Sequence, residues 1–380
     1  MSDSIEPFHL AIPQSALDDL HARLDRTRWP EKEVVADWSQ GVPMAAIRDL
    51  CDYWRSGYDW RRCEAMLNDF GQYRTAIHGL DIHFLHIPSP EPAALPIILT
   101  HGWPGSVIEF HQVIAPLTDP VAHGGNAKDA FHVVVPSLPG YGFSGKPTSS
   151  GWNVERIASA WAELMRRLGY AHYVAQGGDW GAAITTFMGA RRLAGCAAIH
   201  LNLAVVVPTA QEVEAASPAE RRWIERMASY YDFEAGYSTL QRTKPQTLGY
   251  ALADSPVGQA AWIYEKFHGW ADHQGAPENI FSRDAMLDNI MLYWLPNTAA
   301  SSARLYWESL TVTTSLPTVE IPSAISIFPQ EIVGTSRRWA DRKFTNIIHW
   351  NELDHGGHFA AFEQPALFID ELRAAFRSVR

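Results

Sequence analysis

Gly177-Gly178-Asp179-Trp180-Gly181 decides how this chain is read. Before it runs His172-Tyr173-Val174-Ala175, a short β-prone segment, and after it residues 182–193 are helix-prone and rich in Ala and Arg. Strand, glycine-flanked turn and helix is the layout of a nucleophile elbow. The turn is so tight that its flanking residues must be small, a need met by Gly177 and Gly181. Where such an elbow commonly carries Ser, this one carries Asp179. A carboxylate is already ionised at neutral pH, since free Asp titrates near ~3.9, and it attacks without help from a base. It suits an electrophilic sp³ carbon better than an amide or ester carbonyl. A plain surface turn is the competing reading, because Gly and Asp are common turn residues. The rest of the chain favours the elbow.

Upstream, residues 95–100 form a buried-strand pattern that runs into His101-Gly102-Trp103-Pro104-Gly105-Ser106. A helical stretch from Val107 follows, then a strand over 131–135 and a helix over 152–168. Downstream, 197–203 reads as a strand. Strands alternating with helices predict a mostly parallel α/β sheet flanked by helices. From about 206 to 310 the strand rhythm stops, and 218–230, 259–267 and 283–293 look helical. Strands resume at 322–328 and 345–350, and an amphipathic helix over 365–377 follows. Ahead of the sheet, Leu17, Leu20 and Leu24 fall at helical spacing, and 43–53 and 60–70 are further helical candidates. Alternating segments at 72–77 and 82–87, with Gly79-Leu80-Asp81 between them, predict a hairpin. The expected organisation is an N-terminal helical meander (1–75), a sheet core (76–205 and 311–380) and a helical cap (206–310).

Length fits that plan. The chain has 380 residues, above the ~250–300 at which single cores stop growing. Its net charge of −11, without a run of basic residues, argues against nucleic acid or an anionic membrane surface as partner. Met1-Ser2-Asp3-Ser4-Ile5-Glu6 lacks the basic and apolar regions of a signal peptide, and no apolar run nears the ~18 residues that span a bilayer. Cys51, Cys63 and Cys196 form no CxxC pair or metal-like cluster. Reduced thiols in a cytoplasm are expected. The chain carries 15 Trp, some of which can line an apolar pocket.

An aspartyl nucleophile leaves an ester on the enzyme. Its hydrolysis needs a base to activate water, a partner to orient that base, and donors for the oxyanion. Folds built on this elbow place nucleophile, acid and histidine in that order along the chain. His358 follows a Gly-Gly pair after the last expected strand and is the candidate base; His355 is its rival. Glu331 lies just past the strand at 322–328 and is the candidate acid, with Asp354, Asp341 and Glu363 as rivals. The two oxyanion donors fall to the backbone N–H groups of Trp180, after the nucleophile, and of Trp103, after the strand that ends in His-Gly.

Taken together, HGWPGS at 101–106, PSLPGYGFS at 136–144, GGDWG at 177–181, FPQE at 328–331 and GGHFAAFEQP at 356–365 resemble the epoxide hydrolases of the α/β-hydrolase superfamily, in the microsomal and juvenile-hormone-type branch. Asp254-Ser255-Pro256-Val257-Gly258, Met291-Leu292-Tyr293-Trp294 and the N-terminal Trp-Pro region resemble that branch too. The resemblance implies two cap tyrosines that hydrogen-bond the epoxide oxygen, matched by Tyr237 and Tyr306. Spacing alone does not single them out among 13 tyrosines. Their chemistry fits, since a phenol of pKa ~10 stays neutral at pH 7 yet can protonate a developing alkoxide. Animal members of the branch carry a membrane anchor ahead of the meander; here the meander comes at once, so a soluble enzyme is expected.

The resemblance implies conversion of epoxides to vicinal diols with water as co-substrate; the sequence has no HExxH, Cys cluster or phosphate-binding Gly loop and the chemistry above uses side chains only, so no metal or cofactor is expected. It leaves a homodimer open. A haloalkane dehalogenase also uses an Asp followed by Trp, but it holds halide with side-chain N–H donors, often including Asn after His-Gly, where this chain has Trp103. An inactive ligand-binding relative would be expected to lack one of Asp179, His358 or the tyrosines, and all are present.

Overall fold

Among the described residues, 3–312 and 316–380 of a computed structural model, nine strands make one sheet. Residues 1–2 of the expected meander and 313–315 of the expected core lie outside the described residues. The strands are β1 (Glu6–Phe8), β2 (Gln72–Ile77), β3 (Leu80–Ile87), β4 (Leu95–Thr100), β5 (Phe131–Pro136), β6 (Tyr173–Gly177), β7 (Cys196–Leu201), β8 (Ser323–Ile327) and β9 (Ile347–Glu352). Their order is β1-β2-β3-β5-β4-β6-β7-β8-β9. The pairs from β1 through β3 to β5 are antiparallel, and every pair from β5 to β9 is parallel. The sheet is therefore mostly parallel, as the alternation of strands and helices predicts.

The central strand β4 is apolar because both of its faces are covered: Ile97, Ile98 and Leu99 are fully buried. The hairpin of β2 and β3 closes through His78 and Gly79, both at positive φ (51° and 83°). That is the type I′ turn, whose twist matches the flanking strands. β1 escapes a sequence reading because three residues are too few to show alternation.

Parallel strands send their carboxyl ends to one edge of the sheet, where ligands of such folds bind. Thr100 of β4 lies beside Gly177 of β6, and Gly177 beside Leu201 of β7. The loops after these strands, and those after β8 and β9, consequently converge.

Over that region the chain inserts helices between β7 and β8, among them Pro218–Ser229, Gly236–Thr243, Pro256–Trp270, Arg283–Trp294 and Ala299–Ser309. The N-terminal helices are fastened to them. Tyr53 donates to Asp284 at 2.8 Å, and Tyr58 and Arg62 both donate to Asp288 at 2.7 Å. No helix among the described residues is long and apolar enough to cross a membrane.

Candidate active site

Asp179 sits at φ 48°, a left-handed conformation that is uncommon outside glycine. The strain is imposed by neighbours that leave no room. A Cβ at Gly177 would collide with the Gly181 carbonyl, and one at Gly181 with the Thr100 carbonyl. A Cβ at Gly102 would run into the Asp179 side chain itself. The helix starts at Asp179 and runs to Ala190, three residues before the stretch whose composition looked helical. The tight packing of Gly181 against β4 overrides its poor helix propensity.

The Asp179 carboxylate has two different surroundings. Oδ1 accepts a hydrogen bond from the Trp103 N–H at 2.8 Å. Oδ2 faces His358 Nε2 at 3.5 Å. Trp180 is the second residue of the helix, and the first N–H groups of a helix have no intrahelical partner. Of the two backbone amides named from the sequence, that of Trp103 donates to the carboxylate, and that of Trp180 lies next to Asp179 in the first turn of the helix. The loop carrying Trp103 is held from above: Asn289 Nδ2 donates to the Pro104 carbonyl at 2.8 Å, and Tyr293 Oη to the Gly105 carbonyl at 2.7 Å.

His358 Nδ1 lies 2.6 Å from Glu331 Oε1, and both side chains are almost fully buried. Burial works against charge on the imidazole. Glu331, aided by Asp179, outweighs it and holds the His358 pKa well above the usual histidine value. The rivals go elsewhere. His355 and Asp354 are exposed, and Asp341 pairs with Arg337 at 2.7 Å on the surface. Glu363 braces the histidine loop by accepting the N–H groups of Asp272, Gly357 and Phe359 at 2.8–2.9 Å. Burial nevertheless pushes the Glu363 carboxyl up to about 7.

The tyrosines close the other side. The Tyr237 ring stacks on Trp103, with centroids 4.9 Å apart and planes 12° from parallel. Tyr306 meets Trp180 edge-on at 4.7 Å and Tyr237 at 5.9 Å. Burial, reinforced by the neighbouring phenol and by Asp179, raises both phenols well above their ordinary pKa, so both keep their protons. The Tyr306 hydroxyl is buried without a well-aligned hydrogen bond among the described residues.

Beneath the carboxylate is a crevice of about 10 Å³, bordered by Asp179, His358, Glu109, Gln176 and Asn202. Its size is near the ~10–15 Å³ that one water occupies. Much larger grooves, about 1100 and 710 Å³, lie away from these residues. The sequence reading missed several neighbours. Burial pushes the Glu109 carboxyl up to about 8, against the pull of His358. Tyr230 Oη hydrogen-bonds Tyr237 Oη at 2.8 Å, and Trp270 lies edge-on to the His358 ring at 4.8 Å. Residues 230–234 form a single π-helical turn just before Tyr237, a feature frequent at functional sites. None of these carries a local signal, since each is recruited by tertiary packing.

Known proteins resemble this chain over nearly its whole length. The family described as "Epoxide hydrolase N terminus" matches residues 5–110, and "alpha/beta hydrolase fold" matches 96–243. A protein of Stigmatella aurantiaca is 59% identical over 99% of this chain and 86% of its own. Epoxide hydrolase 1 of Sus scrofa is 35% identical over 98% of this chain and 88% of its own. The crystal structure of juvenile hormone epoxide hydrolase from the silkworm Bombyx mori superimposes with a TM-score of 0.91 at 29% identity, covering 99% of this chain and 95% of that one.

Proposed function

This chain belongs to the epoxide hydrolases of the α/β-hydrolase fold, hydrolases that act on epoxides with water, and we propose that it does so through Asp179, His358, Glu331, Tyr237 and Tyr306. The observation that carries the reading is the split environment of Asp179. Oδ1, already held by the Trp103 amide, is the oxygen on which negative charge will later develop. Oδ2 is the nucleophile.

In the first half-reaction Oδ2 attacks an epoxide carbon, and the carbon–oxygen bond of the ring breaks. The departing oxygen takes a proton from Tyr237 or Tyr306 and becomes a hydroxyl. In the second, His358 removes a proton from a water in the adjoining crevice, and the hydroxide adds to the ester carbonyl carbon. The oxyanion is met by the Trp103 and Trp180 amides. Collapse expels the second diol oxygen, which takes the proton from His358. The carboxylic acid left on Asp179 returns its proton to the phenolate. No metal or cofactor is called for.

Esterification also changes the base. The ester no longer carries the charge that helped hold a proton on His358, so the imidazole becomes neutral when it must act. Glu331 fixes its tautomer and steadies the imidazolium that forms.

We read residues 206–310 as the cap over a core of 76–205 and 311–380, with 1–75 as the meander that holds the cap. The net charge of −11 and three buried thiols support a cytoplasmic enzyme that meets neither nucleic acid nor membrane. All the residues invoked come from one chain, so a monomer and a homodimer are equally compatible with the chemistry. The aromatic wall of Trp103, Trp180, Tyr237, Trp270 and Tyr306 suits apolar epoxides. Incubation with styrene oxide, a haloalkane and an aryl ester should yield diol from the first and neither halide nor phenol from the others. Halide release without diol would instead support a dehalogenase, and no product at all an inactive binding protein.

A further inference from the structure

We infer that Lys266 is a positioning residue for ring opening: its ammonium, set against the Tyr237 ring, strengthens the hydrogen bond that this phenol gives to the epoxide oxygen. The inference rests on the reading of Tyr237 as an oxygen donor. Lys266 lies near the end of the helix Pro256–Trp270, and its side chain is 2% exposed. Lysine is almost never buried this far unless something holds its charge. Glu265 Oε1 lies 2.8 Å from Nζ, but Glu265 is partly exposed at 29% and could be neutralised as well by a surface cation. What requires burial is the other neighbour. Nζ lies 4.4 Å from the centroid of Tyr237 and 5.5 Å from that of Trp270.

A cation over an aromatic ring is attracted by the negative face of the ring. As Tyr237 gives up its proton, negative charge gathers on its oxygen and spreads into the ring. The attraction to Lys266 is therefore stronger in the transition state than before it, which is the condition for raising a rate rather than merely tightening binding. Glu265, partly solvated, offsets only some of this field, because its charge is screened more than that of the buried ammonium. Glu234 also feels Lys266: burial raises its pKa while Lys266 opposes the rise.

The test separates the two half-reactions. In single turnovers with styrene oxide, alkylation is followed by acid quench and mass spectrometry of the peptide containing Asp179, and hydrolysis by decay of that adduct. Lys266→Met should slow alkylation about 5- to 30-fold, the size of a desolvated cation–π contact, and leave hydrolysis within about 2-fold. Lys266→Arg should recover most of the loss. In a Tyr237→Phe background Lys266→Met should add almost nothing, since the phenol it acts through is gone. Should the Met variant not fold, Lys266→Gln makes the same comparison with a polar tip kept beside Glu265. Equal slowing of both half-reactions, or a full additive loss in the Tyr237→Phe background, would mean that Lys266 only supports the helix. Wild-type alkylation in Tyr237→Phe itself would sink the donor reading, and this inference with it. Slow alkylation in Tyr237→Phe beside fast alkylation in Lys266→Met would sink this inference alone.

Discussion

His358→Gln protein mixed with an epoxide is expected to gain the mass of one substrate molecule and to keep it. The carboxylate that attacks is ionised without a base, so alkylation should stay within a few-fold of wild type. Hydrolysis of the ester needs the imidazole at 3.5 Å from Oδ2 to take a proton from water. Glutamine is close in size and can occupy the place, but it cannot accept that proton at neutral pH. General base assistance is typically worth ~10²–10⁴-fold, so kcat should fall by about that factor while the adduct accumulates on the peptide containing Asp179. A variant that folds normally yet shows no adduct would mean that the histidine is needed for attack. In wild type, the split environment has a further consequence: His358 should titrate lower in the ester than in the free enzyme, because the ester has lost the negative charge of Asp179. Adduct decay should hence lose rate on acidification only below the pH at which the free-enzyme histidine titrates.

The second large effect is expected from the tyrosines taken together. Tyr237→Phe and Tyr306→Phe should each retain measurable alkylation, because the remaining phenol still reaches the epoxide oxygen. The double variant should lose ~10²–10⁴-fold, the usual range for general acid assistance, since an alkoxide is then expelled without a proton. Both phenols are held neutral by burial, so neither should ionise and drop out as acid under mildly alkaline conditions. Single-turnover alkylation is the quantity to compare. Two single variants that both match wild type in alkylation would remove these residues from the reaction.

How far the sequence could go is clearest at the elbow. Gly177 and Gly181 were readable because a tight turn demands small residues on both sides of Asp179: a Cβ at Gly177 would meet the Gly181 carbonyl, and one at Gly181 the Thr100 carbonyl of the neighbouring strand. His358 and Glu331 were readable as positions, since parallel strands deliver their loops to a common edge and β8 and β9 are apolar enough to locate. The sheet itself follows from runs such as Ile97-Ile98-Leu99. Tyr237 and Tyr306 were a different matter. They reach Trp103 and Trp180 only through packing of helices remote in sequence, and only the family resemblance picked them out. Tyr230, Glu109 and Lys266 had no signal at all. A buried lysine or glutamate looks like any surface charge until its neighbours are known, and Lys266 lies 29 positions from Tyr237, on another helix.

The central claim is covalent attack by Asp179, and the fate of one oxygen atom tests it most directly. A single turnover is run with enzyme in excess over epoxide in water enriched in ¹⁸O. If Asp179 attacks, the new diol oxygen comes from its carboxylate, and water adds to the carboxyl carbon while Trp103 and Trp180 hold the oxyanion. The diol should then be unlabelled, and the peptide containing Asp179 should carry the heavy oxygen. Label in the diol on the first turnover, with none on Asp179, would mean that His358 directs water straight at the epoxide, and would contradict the account even if every residue named here proved essential.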